Sequence, residues 1–141
     1  MQISAHVRNT GQAHDVSVST AGASTELVVP AKAGGRGSSV NGGEFLMLAL
    51  ATCFCNDIYR EAARLAIEVI AVEVEATAQF EGVGLAATNI KYKAHITSPA
   101  ASERIEVLLR ETDAVAEVHN TLRTGASVEL VPWDSEERVA G

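Results

Sequence analysis

The sequence predicts an α+β domain in which antiparallel sheets wrap around one long, buried central helix. Three observations carry this reading. Apolar and polar residues alternate in short windows near the start of the chain and again between 72 and 97, as in half-buried strands. Between them runs an almost unbroken apolar stretch, Phe45-Leu-Met-Leu-Ala-Leu-Ala-Thr-Cys-Phe-Cys55. Asn41, followed three residues later by Glu44, has the form of a capping box and places a helix start at Asn41 or Gly42.

The elements follow in order. Alternation over 2–8 and 15–19, with a third short window at 25–29, predicts an antiparallel opening of three strands separated by turn residues. The segment 30–40 is a long loop rich in glycine and serine, and such a loop in a compact domain is more often functional or interfacial than idle. The helix then runs to about residue 66. Because it is apolar at nearly every angle, it needs cover on all sides, more than one small sheet supplies; a homodimer is the simplest source. Asp57, Arg60, Glu61 and Arg64 form a charged run that marks the wetter end of this helix.

A strand with Val72, Val74, Ala76, Ala78 and Phe80 on one face comes next, and Ile90, Tyr92, Ala94 and Ile96 line its partner. A hairpin centred near Val83 sets Glu75 opposite Lys91 and Glu73 opposite Lys93. Ser98-Pro99 predicts a helix start, and Asp113 a second one, with Val115, Val118 and Leu122 inward and Gly125 as terminator. A last strand is expected over 127–131 and a loose tail over 132–141, with Trp133 docking on the body. With 141 residues and no internal repeat, the chain is read as a single domain.

Composition narrows the function. The hydrophobic content, 47%, is ample for a core, while aromatic residues are only 4%, so Val, Leu, Ile and Ala must pack it. A net charge of −7 argues against nucleic acid and anionic membranes as partners, since both reward clustered Lys and Arg. No charged leader stands at the start, and no apolar run approaches the roughly 20 residues of a membrane span, so a cytoplasmic protein is expected. Two cysteines spaced Cys-x-Cys give neither a disulfide framework nor a zinc ligand set. The glycine segment fails both the P-loop pattern and the dinucleotide fingerprint, where Val40 replaces the third glycine. No cofactor and no metal are therefore expected.

The strands before a glycine-rich loop, Asn41 at the cap, Ala51-Thr52-Cys53-Phe54 on an apolar helix, the following strand ending Glu-Val-Glu75, and a late Asn120-Thr121-Leu122 together resemble the osmotically inducible protein C and organic hydroperoxide resistance family (OsmC/Ohr). The resemblance covers nearly the whole chain. It implies an intertwined homodimer and thiol peroxidase chemistry on organic hydroperoxides or hydrogen peroxide in an oxidative stress response. By position it makes Cys53 the peroxidatic residue, whose thiolate becomes a sulfenic acid.

The sequence departs from the family pattern in three places. The second cysteine is missing from Val115-Ala-Glu-Val-His119, so an external thiol must act as reductant. The family's glutamate falls on Gly43, leaving Glu44 to orient an arginine, and the early-turn arginine is absent, leaving Arg36 or Arg8 as substitute. Arg36 is taken as the thiolate stabiliser.

Each residue has a bland alternative. Cys53 is equally the kind of small residue found inert in cores, because free cysteine is among the most buried types and burial without a cation raises its pKa. Cys55 is a secondary candidate: pairing with Cys53 would need the helix to unwind, since residues two apart point to nearly opposite sides, and a second-subunit or packing role is expected instead. His119 lies near the missing cysteine and could steer protons, or be merely hydrogen-bonded. His6, His14 and His95 share no metal-binding spacing. The alternative function is a non-enzymatic relative that binds a small apolar or electrophilic ligand at the dimer cleft; a third reading is an unrelated packing module with an inert thiol.

Overall fold

The computed structural model describes residues 1–34 and 36–133. The described residues divide into two compact units, one of residues up to 42 with 128–133, and one of residues 43–127.

The first unit is an antiparallel meander of β1 (Ile3–Asn9), β2 (His14–Thr20) and β3 (Ala23–Leu27), in the order β1-β2-β3. Its second turn is the two-residue pair Ala21-Gly22, at φ 49° and 85°. Two positive φ values in a two-residue hairpin loop match the right-handed strand twist, and glycine at the second removes half the steric cost. The glycine loop closes on itself through a bridge between Ala31 and Ser38 and a Lys32 N–H bond to the Gly37 carbonyl at 2.8 Å. Trp133 is 78% exposed, with its ring 6.4 Å from that of His6. Residues 134–141 of the expected tail lie outside the described residues.

The second unit is built on α1 (Gly42–Arg64), which starts where the capping pattern places it. It ends in a left-handed residue, Ala66 at φ 55°, with the Ile67 N–H bonded back to the Ala62 carbonyl at 2.9 Å, so the last carbonyls are satisfied without a glycine. The hairpin of β4 (Ala71–Gln79) and β5 (Thr88–Thr97) lays alternate residues on this helix. Val72, Val74, Tyr92, Ala94 and Ile96 pack with Phe54, Ile58 and Ala62 of α1. Two further helices, α2 (Ser102–Val115) and α3 (Glu117–Thr124), complete the unit, and Leu108 and Ala116 join the core fully buried. The α+β class and the antiparallel sheets are as expected.

Several local expectations need correction. The hairpin register pairs Glu75 with Lys93 and Glu73 with His95, two residues from the expected alignment, because a bulge between Thr77 and Gln79 and the turn around Gly84 lengthen the connection. One of the expected charge types survives as an exposed Lys93–Glu75 pair at 3.8 Å, worth a few tenths of a kcal/mol at most. α2 begins at Ser102, since the Ser98 hydroxyl is spent on the Glu68 carbonyl and on the Ala100 N–H. Asp113 belongs to α2, and α3 starts after Ala116, which turns its buried face to His119 while Val115 and Leu122 stay partly exposed. Residues 127–131 form no strand, and Val128 and Leu130 are almost fully exposed. Within one chain α1 buries a stripe, Leu50, Phe54, Ile58 and Ala62, and leaves Leu48 56% exposed.

Candidate functional site

Cys53 sits mid-way along α1, half-buried, where the helix meets the start of α3. Residues i and i+4 share a helix face, so Asp57 lies one turn beyond it, and the Cys53 thiol donates to Asp57 Oδ2 at 3.6 Å. From α3, Glu117 brings Oε2 to 3.9 Å of the same sulfur. The backbone N–H of Val118 acts on the sulfur as well, favouring its anion. That N–H is one of the four at a helix start without an intrahelical carbonyl, so it is free to stabilise an anion there.

The electrostatics are opposed. Burial pushes the Cys53 thiol above its ordinary pKa, the Val118 N–H pulls it down, and the Asp57 and Glu117 carboxylates add to the rise. Burial also raises Asp57, helped by Glu117 and resisted by Arg60, whereas Glu117 is held down by its own backbone N–H at the helix start. Of the two carboxylates, Asp57 is therefore the stronger proton acceptor. Arg60 ties them together, with Nη1 at 3.1 Å from Asp57 Oδ1 and 3.4 Å from Glu117 Oε1.

The charged run on α1 is thus solvated only at its arginines, Arg60 and Arg64. Asp57 and Glu61 are 6% and 7% exposed, and the network continues from Arg60 to Glu61, and from Glu61 through Arg64 to Glu111. The ligand atoms of Cys53, Asp57 and Glu117 lie within 4.8 Å of one another, close enough to share a cation, but Arg60 already supplies positive charge to both carboxylates.

The other expected site residues are placed as follows. Glu44 is in the first turn of α1. Arg36 is an exposed residue of the first unit, its guanidinium beside Gly11. Cys55, like Cys53, is a free, half-buried thiol. His119 is 3% exposed and stacks edge-on against Tyr92, with ring centroids 4.4 Å apart. Asp57, Glu117, Arg60 and the Val118 N–H are the site groups that sequence reasoning missed. The Cys53/Asp57 spacing could have revealed the first; nothing local announces Glu117, which is 64 residues from Cys53.

Comparison with known proteins bears on the whole arrangement. A comparison with curated proteins finds no match. Among solved structures, an OsmC-like protein from Mycoplasma pneumoniae is similar at a TM-score of 0.62 and 17% identity over 86% of each chain. An organic hydroperoxide resistance protein OsmC from Legionella pneumophila matches at 0.59 and 20% identity, covering 87% of this chain and 90% of its own. The organic hydroperoxide resistance protein OhrB of Bacillus subtilis matches at 0.54 and 16%, over 87% and 91%. These likenesses establish the fold. The family model described as OsmC-like protein matches residues 35–131, from the glycine loop through α3, and the chain therefore belongs to the OsmC-like protein family.

Proposed function

We propose that this protein is a thiol-dependent reductase of organic hydroperoxides or hydrogen peroxide, active in the oxidative stress response, with Cys53 as the attacking sulfur. The observation that carries the reading is the position of that sulfur between a free helix-start N–H and a carboxylate able to take its proton. Family membership supports it, as do the names of the Legionella and Bacillus neighbours, both hydroperoxide resistance proteins.

The thiol passes its proton to Asp57, and the thiolate, steadied by the Val118 N–H, attacks the terminal oxygen of the peroxide. The O–O bond breaks, an S–O bond forms, and the departing alkoxide takes the proton back from Asp57. One peroxide and one thiol have become one alcohol and one sulfenic acid. Two equivalents of a small external thiol then return Cys53 to its reduced form and leave as a disulfide with one water. Arg60 keeps Asp57 oriented. The working unit of this reading is a cytoplasmic homodimer, with Arg36 as thiolate stabiliser and Glu44 as the group that orients it.

Stoichiometric cumene hydroperoxide followed by mass spectrometry tests this. Cys53 should gain one oxygen atom, dithiothreitol should support continued peroxide consumption, and Cys53→Ser should abolish both. Unmodified Cys53 with no peroxide consumed overturns the proposal. The net upward push of burial and two carboxylates on the thiol favours a second reading, a relative without activity that retains a small apolar or electrophilic molecule at the dimer cleft. Ligand retention unchanged in Cys53→Ser, with no peroxide consumption to lose, selects it.

A further inference from the structure

We infer that Asn9 and His14 form a proton-sensitive latch, which holds the glycine loop against the β1–β2 turn and lets go when His14 takes up a second proton. All of its parts lie within the first unit.

The latch is a chain of hydrogen bonds that can run in one direction only. The Gly37 backbone N–H donates to Asn9 Oδ1 at 3.2 Å, and Asn9 Nδ2 meets His14 Nδ1 at 3.0 Å. A backbone N–H can only donate, so the amide must turn its oxygen to Gly37 and its NH₂ group to the ring. His14 Nδ1 is then an acceptor without a proton. The one proton of the neutral ring sits on Nε2, which is buried and has no partner. A further proton on Nδ1 would set two donors against each other. Turning the amide over would satisfy His14 but would put the NH₂ group against the Gly37 N–H, so the Gly37 bond is lost in that case too.

Local structure keeps the pair in this arrangement. Asn9 and His14 are opposite each other in the β1–β2 ladder. The turn beside them is closed by the Thr10 N–H on the Ala13 carbonyl at 2.9 Å, and by Thr10 Oγ1, which accepts from the N–H groups of Gln12 and Ala13. Bonds from Lys32 to Gly37 and from Ser39 to Pro30 join the loop to itself, whereas Asn9 ties it to the hairpin. The charged and titratable groups around His14 are His6 from β1, Asp15 from β2 and Glu26 from β3, which line one hollow with it. Arg8 stands opposite Asp15 in the ladder, and the Arg36 guanidinium lies beside Gly11. Neither ring nitrogen is bonded to any of them. Histidine changes charge between about pH 8 and 5, so the latch is closed in mild alkali and opens in mild acid. The freed loop carries Arg36. Its consequence for the thiolate rests on the thiol reading, whereas the latch does not.

¹⁵N NMR of the full-length protein tests it. At pH 7.5 the His14 ring should carry its proton on Nε2. Protection of the Gly37 amide against hydrogen exchange, corrected for the intrinsic pH dependence of exchange, should fall about three- to tenfold between pH 7.5 and 5.5. Asn9→Asp should abolish that fall, because a carboxylate accepts from Gly37 and from a protonated Nδ1 together, while His6→Asn should leave it in place. Cys53→Ser should behave as wild type, which keeps this result separate from the thiol chemistry. A proton on Nδ1 at pH 7.5, Gly37 protection that does not respond to pH, or a fall that persists in Asn9→Asp or vanishes in His6→Asn would overturn the inference.

Discussion

Asp57→Asn gives the sharpest reading of the thiol site, because it removes a charge 3.6 Å from the sulfur while keeping a polar side chain of the same shape. Coulomb's law puts the repulsion between a thiolate and a carboxylate at that distance at about 1 kcal/mol in water and about 5 kcal/mol at an effective dielectric of 20. Cys53 is half-buried and Arg60 already cancels part of the field from 3.1 Å away, so the value belongs near the lower end. A net relief of about 1.4 kcal/mol corresponds to about one pKa unit and about tenfold more thiolate at neutral pH.

Alkylation by iodoacetamide across a pH series reads this directly, since iodide leaves without needing a proton. The rate at pH 7 should rise about tenfold and the midpoint of the rate profile should fall by about one unit. Hydroperoxide consumption should move the other way, by at least about tenfold, because the leaving alkoxide has lost its proton donor. An unchanged alkylation rate would mean that the carboxylate does not face the sulfur. A rise in both rates would leave Asp57 purely repressive and sink the proton-return step.

The other tests are smaller. Glu117→Gln removes a carboxylate 3.9 Å from the sulfur, but one that is 66% exposed and paired to Arg60, so alkylation and peroxide consumption should both rise by only about threefold, less at high salt. His119 is held below its ordinary pKa of 6.5, so the fold prefers the neutral ring; that stability is complete above 6.5 and is lost as the pH falls beneath it. Urea midpoints measured at pH 7.5 and 5.5 should therefore differ more in the wild type than in His119→Phe, and equal slopes would refute the assignment. Leu108→Ala, at a fully buried core position, should cost about 2–5 kcal/mol by urea denaturation. A loss below about 1 kcal/mol would show that the site collapses or is not core.

What could be read from the sequence was what depends on near neighbours. The start of α1 at Gly42, the two faces of β4 and β5, and the termination of α3 at Gly125, which is left-handed at φ 66°, all follow from patterns within a few residues. The hairpin register failed because charge pairing on an exposed face is worth too little to set alignment, and the bulge at Thr77/Gln79 outweighed it. The strand expected at 127–131 failed for a related reason: alternation describes a surface, and a ladder also needs a partner edge, which those residues do not find among the described residues. The site was half legible. Cys53 could be singled out, but the groups that tune it come from α3, and the charged run that looked solvated places Asp57 and Glu61 inside.

For the proposed cycle, the chain's cysteine usage limits where the reductant can come from. In that cycle a sulfenic acid at Cys53 would form beside the start of α3, where Val118 acts on the sulfur. The sequence has only one other cysteine, Cys55, and it is two residues further along an intact helix. Their side chains diverge, and joining them would require unwinding the turn that also carries Phe54, one of the most buried residues of the core. Resolution within one chain would thus dismantle the packing that holds the sulfur in place. A reductant arriving from solvent needs no such rearrangement, since Cys53 is only half-buried, and a single-cysteine cycle with an external thiol is the course that leaves the fold intact.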